Sequence, residues 1–187
     1  RITVVLYRIG IVLSAIIMSG LAYLFVSAAS DFISAGKSRS ADLLAYGLYG
    51  AVGLSVFFIH LYISKFHTYL KYLFFISLCG LAALLFIGRG SLSGALSQVP
   101  SSTLLLLPLS GCLGFVTAKE AFCFKLFEGY LLALIMPFYL LLVASGNLTS
   151  RGASYGLALI AALLIVFTLR KVFMPIAYDI GDKSAYR

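Results

Sequence analysis

The sequence predicts an all-α, polytopic membrane bundle of about six transmembrane helices, and three observations predict it. Six apolar stretches, each long enough to cross a bilayer, follow one another with short loops between them. Mean hydropathy is +1.08, with 62% hydrophobic and 11% charged residues, which leaves almost no capacity for a water-facing domain beside the spans. The basic residues fall mostly at one side of the stretches: Arg1, Arg8, Lys65, Lys71, Lys119, Lys125, Arg170, Lys171, Lys183 and Arg187 against Lys37, Arg39, Arg89 and Arg151. Such a bias puts both termini on the cytoplasmic side. We therefore expect one integral membrane domain over residues 1–187.

The spans read as 9–29, 43–64, 68–88, 103–124, 126–146 and 153–174, each near the ~20 residues that a helix needs to cross ~30 Å of hydrocarbon. A barrel is excluded because these runs are continuously apolar rather than alternating in segments of about ten. The first starts too late and runs too long for a signal-peptide core; since the chain begins with Arg1, a removed targeting segment before it stays open. Between the second and third, Lys65 to His67 reads as a tight hairpin turn. After the third, Gly88, Arg89 and Gly90 lead into a Gly/Ser-rich outer loop over Ser91 to Ser102 that contains Pro100; with Ser30 to Ser40 it is the outer segment that has room for partner contacts. No internal repeat supports the pseudo-symmetric halves common in secondary transporters.

The formal net charge of +8 would point to nucleic acid in a soluble protein. Here ten of the fourteen basic residues flank inner helix ends, where anionic headgroups attract them, so nucleic acid is not expected and membrane lipids are. Cys79, Cys112 and Cys123 form no CxxC pair and stand near no His at zinc spacing; they read as small buried apolar residues.

Small residues predict where helices touch. Ser110, Gly114 and Ala118 recur every four residues after Pro108, Gly152 and Gly156 make a GxxxG at the start of the sixth span, and Gly47 with Ala51 makes a similar pair in the second. Packing within the bundle explains them ahead of a dimer interface, because such spacings are frequent by chance in Gly-rich membrane helices.

Of the six acidic residues, Asp31, Asp42, Asp179 and Asp182 fall in loops or at helix ends, which leaves Glu120 and Glu128. Glu120 lies ~25 Å along the fourth span, at the inner edge of the hydrocarbon. A carboxylate that short cannot snorkel as Lys119 can, so Glu120 is expected in a structural ion pair, with Lys119 beside it and Arg8, Lys65 or Lys71 as the partner from another helix. A proton or ion site is the competing reading, weakened because the bilayer centre holds no second ionisable group to continue a relay. His60, in the aromatic setting Phe57-Phe58-Ile59-His60-Leu61-Tyr62, is a packing residue or a single axial ligand for chlorophyll; no second His stands at its depth for bis-His haem. No GxSxG, HExxH or paired intramembrane Asp is present, no other metal site is indicated, and the chain is not expected to be an enzyme. Asn147-Leu148-Thr149 matches a glycosylation acceptor in a loop too short for its use.

The stretch from Gly114 to Phe124, with its Lys119-Glu120-Ala121-Phe122-Cys123-Phe124 run, together with Ile59-His60-Leu61-Tyr62 leading into a short basic hairpin, resembles an uncharacterised integral membrane protein family of cyanobacteria and plastid-bearing eukaryotes. The resemblance spans nearly the whole chain. It implies a thylakoid or cyanobacterial membrane, termini on the stromal face where that membrane is a plastid's, and no particular catalysis. The lack of Trp departs from expectation and leaves interface anchoring to twelve Tyr and to Lys and Arg.

Two functions are expected to compete. The first is a non-catalytic accessory subunit of a photosynthetic complex such as a photosystem, contacting other membrane subunits and carrying at most a chlorophyll or carotenoid. The second is a small ion or solute transporter, in which Pro108, Gly111 and Gly114 would interrupt the fourth span and expose backbone carbonyls.

Overall fold

The computed structural model describes residues 2–27, 35–59 and 64–174. Among them it holds seven α-helices and no strand: α1 (Ile2–Ser27), α2 (Ala35–Phe58), α3 (Ser64–Ile87), α4 (Leu92–Gln98), α5 (Leu107–Phe124), α6 (Phe127–Ala144) and α7 (Ser150–Val172), with a 3-10 helix over Pro100–Leu106. Six stretches are long and apolar enough to span a membrane: α1, α2 from Arg39, α3 from Lys65, the 3-10 helix run on into α5, α6 and α7.

Local signals account for the breaks. Lys125, in the left-handed region at φ +54°, ends α5 and turns the chain into α6 within two residues. After α3 the chain reverses through Arg89 at φ +49° and Gly90 at φ +92°, a conformation that favours glycine. Ser91 caps α4 by accepting from Gly94 N at 3.1 Å, and Thr149 caps α7 by accepting from Gly152 N at 3.1 Å. Buried hydroxyls in the spans bond back to their own helix, Ser14 to the Gly10 carbonyl at 2.8 Å and Ser77 to that of Phe74 at 2.7 Å, so they do not demand an interhelical partner.

The helix ends at α1 and α7 meet. Arg8 Nη1 donates to the carbonyl oxygens of Met174 at 2.8 Å and Val172 at 3.4 Å, satisfying carbonyls that the end of α7 leaves open. This termini-side end of the bundle is thus distinct from the opposite end, which carries α4 and the 3-10 helix. The broadest contacts join α1 to α2 and to α7, and α5 to α6; α3 lies on α5 and the 3-10 helix.

Several sequence expectations are corrected here. The first span begins at Ile2, not residue 9, because Arg8 is held against α7 inside the helix rather than ahead of it. Helix α3 begins at Ser64, so Lys65 and His67 belong to its first turns rather than to a hairpin turn. Ser91 to Ser102 is no open loop: α4 and the start of the 3-10 helix fold onto the bundle, where Leu92 and Ala95 make a small second core with Leu84. Pro108 does not interrupt a helix, since it lies in the first turn of α5, where a missing N–H costs nothing. The helix with an internal proline is α6, at Pro137. Cys112 is buried as expected, whereas Cys79 and Cys123 are exposed on the outer faces of α3 and α5.

Glycine sets the tightest crossing. A Cβ on Gly10 of α1 would stand 2.4 Å from Ser55 Oγ and 2.8 Å from the Ala51 carbonyl oxygen, so α1 and α2 touch nearly backbone to backbone. Gly50, on the exposed side of α2, has nothing within 4 Å. Gly10→Ala should therefore cost about 1–3 kcal/mol through overpacking. Gly50→Ala should be neutral or stabilising by up to about 1 kcal/mol through helix propensity. Thermal unfolding of the two variants in detergent checks this; equal behaviour would mean that the crossing is looser than described.

Candidate functional site

Two features of the bundle interior hold polar chemistry, one at each end. At the termini-side end Glu120 of α5 is fully buried, one turn before the helix stops. Its Oε1 accepts from Tyr7 Oη of α1 at 2.8 Å and from Lys119 Nζ at 2.6 Å. Lys171 Nζ of α7, equally buried, stands 2.5 Å from Oε2 as an ion contact whose angles are off-line for a hydrogen bond. Two cations thus face one carboxylate, and an aromatic ring stands beside each: Lys171 Nζ lies 3.9 Å from the Phe124 ring centre and Lys119 Nζ 5.5 Å from that of Tyr7. Lys171 also sits in the last turn of α7, where the helix dipole favours a cation. A second pair, Arg170 to Glu128 at 2.5 Å, ties α7 to the start of α6 at the surface.

The partner from another helix is therefore Lys171, not Arg8, Lys65 or Lys71. Arg8 is committed to the carbonyls at the end of α7, and Lys71 Nζ lies 5.7 Å from the centre of the Phe57 ring. Lys119 does not snorkel freely either, for its side chain is only 18% exposed and curls back to the neighbouring residue. Sequence reasoning counted Lys171 only among the ten basic residues that flank inner helix ends. The signal it passed over was position: Lys171 lies within the helical run, one residue before the end of α7.

The opposite half of the bundle holds a partly open cavity of about 210 Å³. Its walls come from α1, α2, α4, the 3-10 helix, α5, α6 and α7, and include Met18, Tyr49, Leu113, Met136 and Ile160. Nearly all of this surface is apolar. Most of the polar groups at its edge are spent: Tyr139 Oη donates to the Ala153 carbonyl at 2.9 Å, and Ser154 Oγ to that of Phe25 at 3.1 Å. Asp42 accepts from Ser93 N at 2.7 Å and Ser91 Oγ at 2.8 Å, which clamps the start of α4 onto α2. Tyr49 differs. It is 4% exposed, and its hydroxyl is buried with no hydrogen-bond partner.

The small residues separate into different roles. Gly114 packs against Ala133 of α6, where an added Cβ would meet Ala133 Cα at 3.4 Å, and Gly156 faces the Tyr139 ring. Pro137 cannot donate to the Ala133 carbonyl, so the crossing lies where α6 has lost a helix bond. Ser110 bonds to the Leu107 carbonyl at 2.9 Å and lines the cavity, and Ala118 is half-buried. Gly152 is corrected: among the described residues a Cβ there would meet only Leu148 and Thr149 of its own capping turn, so it serves the Thr149 cap of α7 rather than a helix crossing. Sequence reading missed Gly10 and Gly129, the latter pressed against the Thr117 carbonyl, although Ser14 and Ala133, four residues on from them, gave the signal that could have found them. His60 lies outside the described residues, as do Asp31, Asp179 and Asp182.

A family model described as "Uncharacterized integral membrane protein (DUF2301)" matches residues 54–187. The chain belongs to this family. No curated protein and no solved structure matches it. The DUF2301 match starts inside α2, so it contains Glu120, Lys171 and the stretch from Gly114 to Phe124, while Tyr7, Asp42 and Tyr49 precede it. It covers less of the chain than the sequence resemblance implied, because the matched region leaves out all of α1.

Removing one partner of a desolvated pair leaves the other charge uncompensated, at a cost of about 3–5 kcal/mol. Glu120→Gln and Lys171→Met should each lower the unfolding temperature in detergent markedly, and the double variant should recover most of that loss. Arg170→Ala, at a pair whose Arg is 49% exposed, should cost no more than about 1 kcal/mol. Additive losses in the Glu120/Lys171 double variant would contradict the pairing.

Proposed function

We propose that this DUF2301 protein is a non-catalytic accessory subunit of a photosynthetic membrane complex, one that supplies helix surface to neighbouring subunits. The observation that carries this reading is the outer face of α3. Tyr69 and Tyr72 are 68% and 63% exposed there, with Phe66, Phe75 and Ile76 exposed beside them. An aromatic interface belt would account for tyrosines at a helix end. Tyr72 lies eight residues into α3, ~12 Å along its axis, where a phenol facing lipid alone has few partners. Two further facts support a packing role: the buried charges are engaged with one another, and the cavity lining offers no chain of ionisable groups. The photosynthetic setting rests on the resemblance carried by the run from Lys119 to Phe124.

Mild-detergent fractionation of the native membrane tests it. The protein should migrate with a photosystem or electron-transfer complex, and Tyr69→Ala with Tyr72→Ala should release it while its own unfolding temperature stays unchanged. Migration solely as a free monomer would sink the reading.

One observation favours transport instead. The cavity occupies one half of the bundle while the Glu120–Lys171 pair closes the other, the arrangement of a carrier open to one side. On that reading, liposomes containing the protein show solute flux above empty vesicles, and Glu120→Gln alters the rate. Flux equal to that of empty vesicles across a panel of ions and small solutes removes carriage of those solutes.

A further inference from the structure

We propose that the cavity holds one hydrocarbon chain of a membrane lipid, inserted end first from the side of the bundle opposite the termini. The inference is independent of the accessory-subunit reading. Shape is the first observation. On α2 the lining runs from Ala41 to Val52, roughly 16 Å along the helix axis. On α1 it runs from Met18 to Phe25, on α6 from Met136 to Val143 and on α7 from Ala153 to Ile160, roughly 10 Å each. The space is therefore a slot parallel to the spans, about as long as the ~15 Å that one leaflet contributes to a ~30 Å hydrocarbon core. A dry apolar cavity of ~150 Å³ accommodates benzene. A volume of about 210 Å³ drawn out along the helices suits a single extended chain and leaves no width for a tetrapyrrole.

The second observation is that the two ends of the slot differ. The directions of the helices bring Met18, Val52, Leu113, Met136 and Ile160 together toward the middle of the bundle, and all five are buried and apolar. Phe25, Asp42, Ala45, Leu96 and Val143 lie nearer the end opposite the termini and are half-buried. Asp42, Ser93 and Ser154 put polar side chains at this second end. A blind apolar floor beneath a polar rim matches an amphiphile whose tail points to the membrane centre while its head stays at the interface. Energetics supply the third observation. The lining of a void forgoes dispersion contacts, and water does not replace them, because an apolar cavity stays dry. A lipid chain leaves surroundings as apolar as the protein interior, so it enters without hydrophobic cost. The wall contacts are then a gain, and the abundance of chains around the protein favours occupancy by mass action. Met18 and Met136 at the floor adapt their shape to the chain end.

Photolabelling tests the proposal. The delipidated full-length protein is reconstituted into phosphatidylcholine liposomes in which a small share of the lipid carries a diazirine, either at the end of an acyl chain or close to its ester, and adducts are located by peptide mass spectrometry. The chain-end probe should label the floor at Met18, Val52 and Met136, buried residues that lipid outside the bundle does not touch. The near-ester probe should label the rim at Phe25, Leu96 and Val143. Ile76 and Phe86 of α3, 56% and 89% exposed, serve as the control for labelling by surrounding lipid. Ala45→Phe and Leu157→Phe, which plug the slot from α2 and from α7, should each remove the floor adducts and leave those on α3 in place. The proposal is overturned if the floor of the unsubstituted protein stays unlabelled while α3 is labelled, if the two probes label floor and rim in the reverse order, or if the floor adducts survive in a folded plugged variant. The first two of these results need no variant, so a plug that prevents folding leaves the test intact. None of them bears on whether the protein migrates with a photosynthetic complex.

Discussion

The carboxylate of Glu120 is the point on which the termini-side half of the bundle depends. A lone anion buried in this chain needs partners with charge or donor protons, and they arrive from two other helices, Tyr7 on α1 and Lys171 on α7, with Lys119 from its own helix. Replacing the pair by apolar residues of equal volume would change stability little, since desolvation offsets most of the Coulomb attraction. What the pair imposes is register. A shift of α7 by one residue turns Lys171 by about 100° about the helix axis, away from Glu120, and strands both charges. Hydrophobic side chains alone carry no such penalty for sliding, because lipid is as apolar as the protein core.

Close backbone approach does the remaining work of association. Gly10 lets α1 rest on Ala51 and Ser55 of α2, and Gly129 lets α6 rest on Thr117 of α5. In both places the helix opposite presents a carbonyl oxygen, so Cα–H to oxygen contacts add to dispersion. Helices α1, α2, α5, α6 and α7 thereby form the tightly joined part of the molecule, and α3 remains peripheral, with much of its aromatic surface turned outward.

How much of this was legible in the sequence depended on the range of the interaction concerned. The six spans were readable because a run of ~20 apolar residues has one physical solution in a bilayer. Glu120 was readable as a charge in need of a partner, and the identity of that partner was not, since several basic residues share the termini-side end and only the crossing of α5 with α7 selects Lys171. Small-residue spacing found Gly114 and Gly156 and failed at Gly152, because spacing along one helix says nothing about what lies across from it. The outer segment from Ser91 to Ser102 looked like a loop by composition. Its folding onto the bundle follows from Asp42 and from Leu92 and Ala95, single contacts that leave no pattern along the chain. Tyr49 could not be distinguished from eleven other tyrosines until its hydroxyl was seen to lack a partner.

The two ends of the interior are built on opposite principles, and this contrast bears on function. At the termini-side end, charged groups are buried and matched, which makes separation of the helices costly. In the other half the helices surround an apolar space, α6 passes through Pro137 in the middle of its length, and α4 is held to α2 by the carboxylate of Asp42. Void lining gains less dispersion energy than close packing, so this half is the less stable of the two as it stands. A bound apolar molecule would supply the missing contacts, raising stability by mass action. Occupancy would then be felt through α2, α6 and α7, which line the cavity and reach the termini-side end, rather than through α3, which contributes nothing to its walls. A guest in that half would bear on how firmly the helices are joined, while the outward face of α3, which takes no part in the cavity walls, would stay as it is.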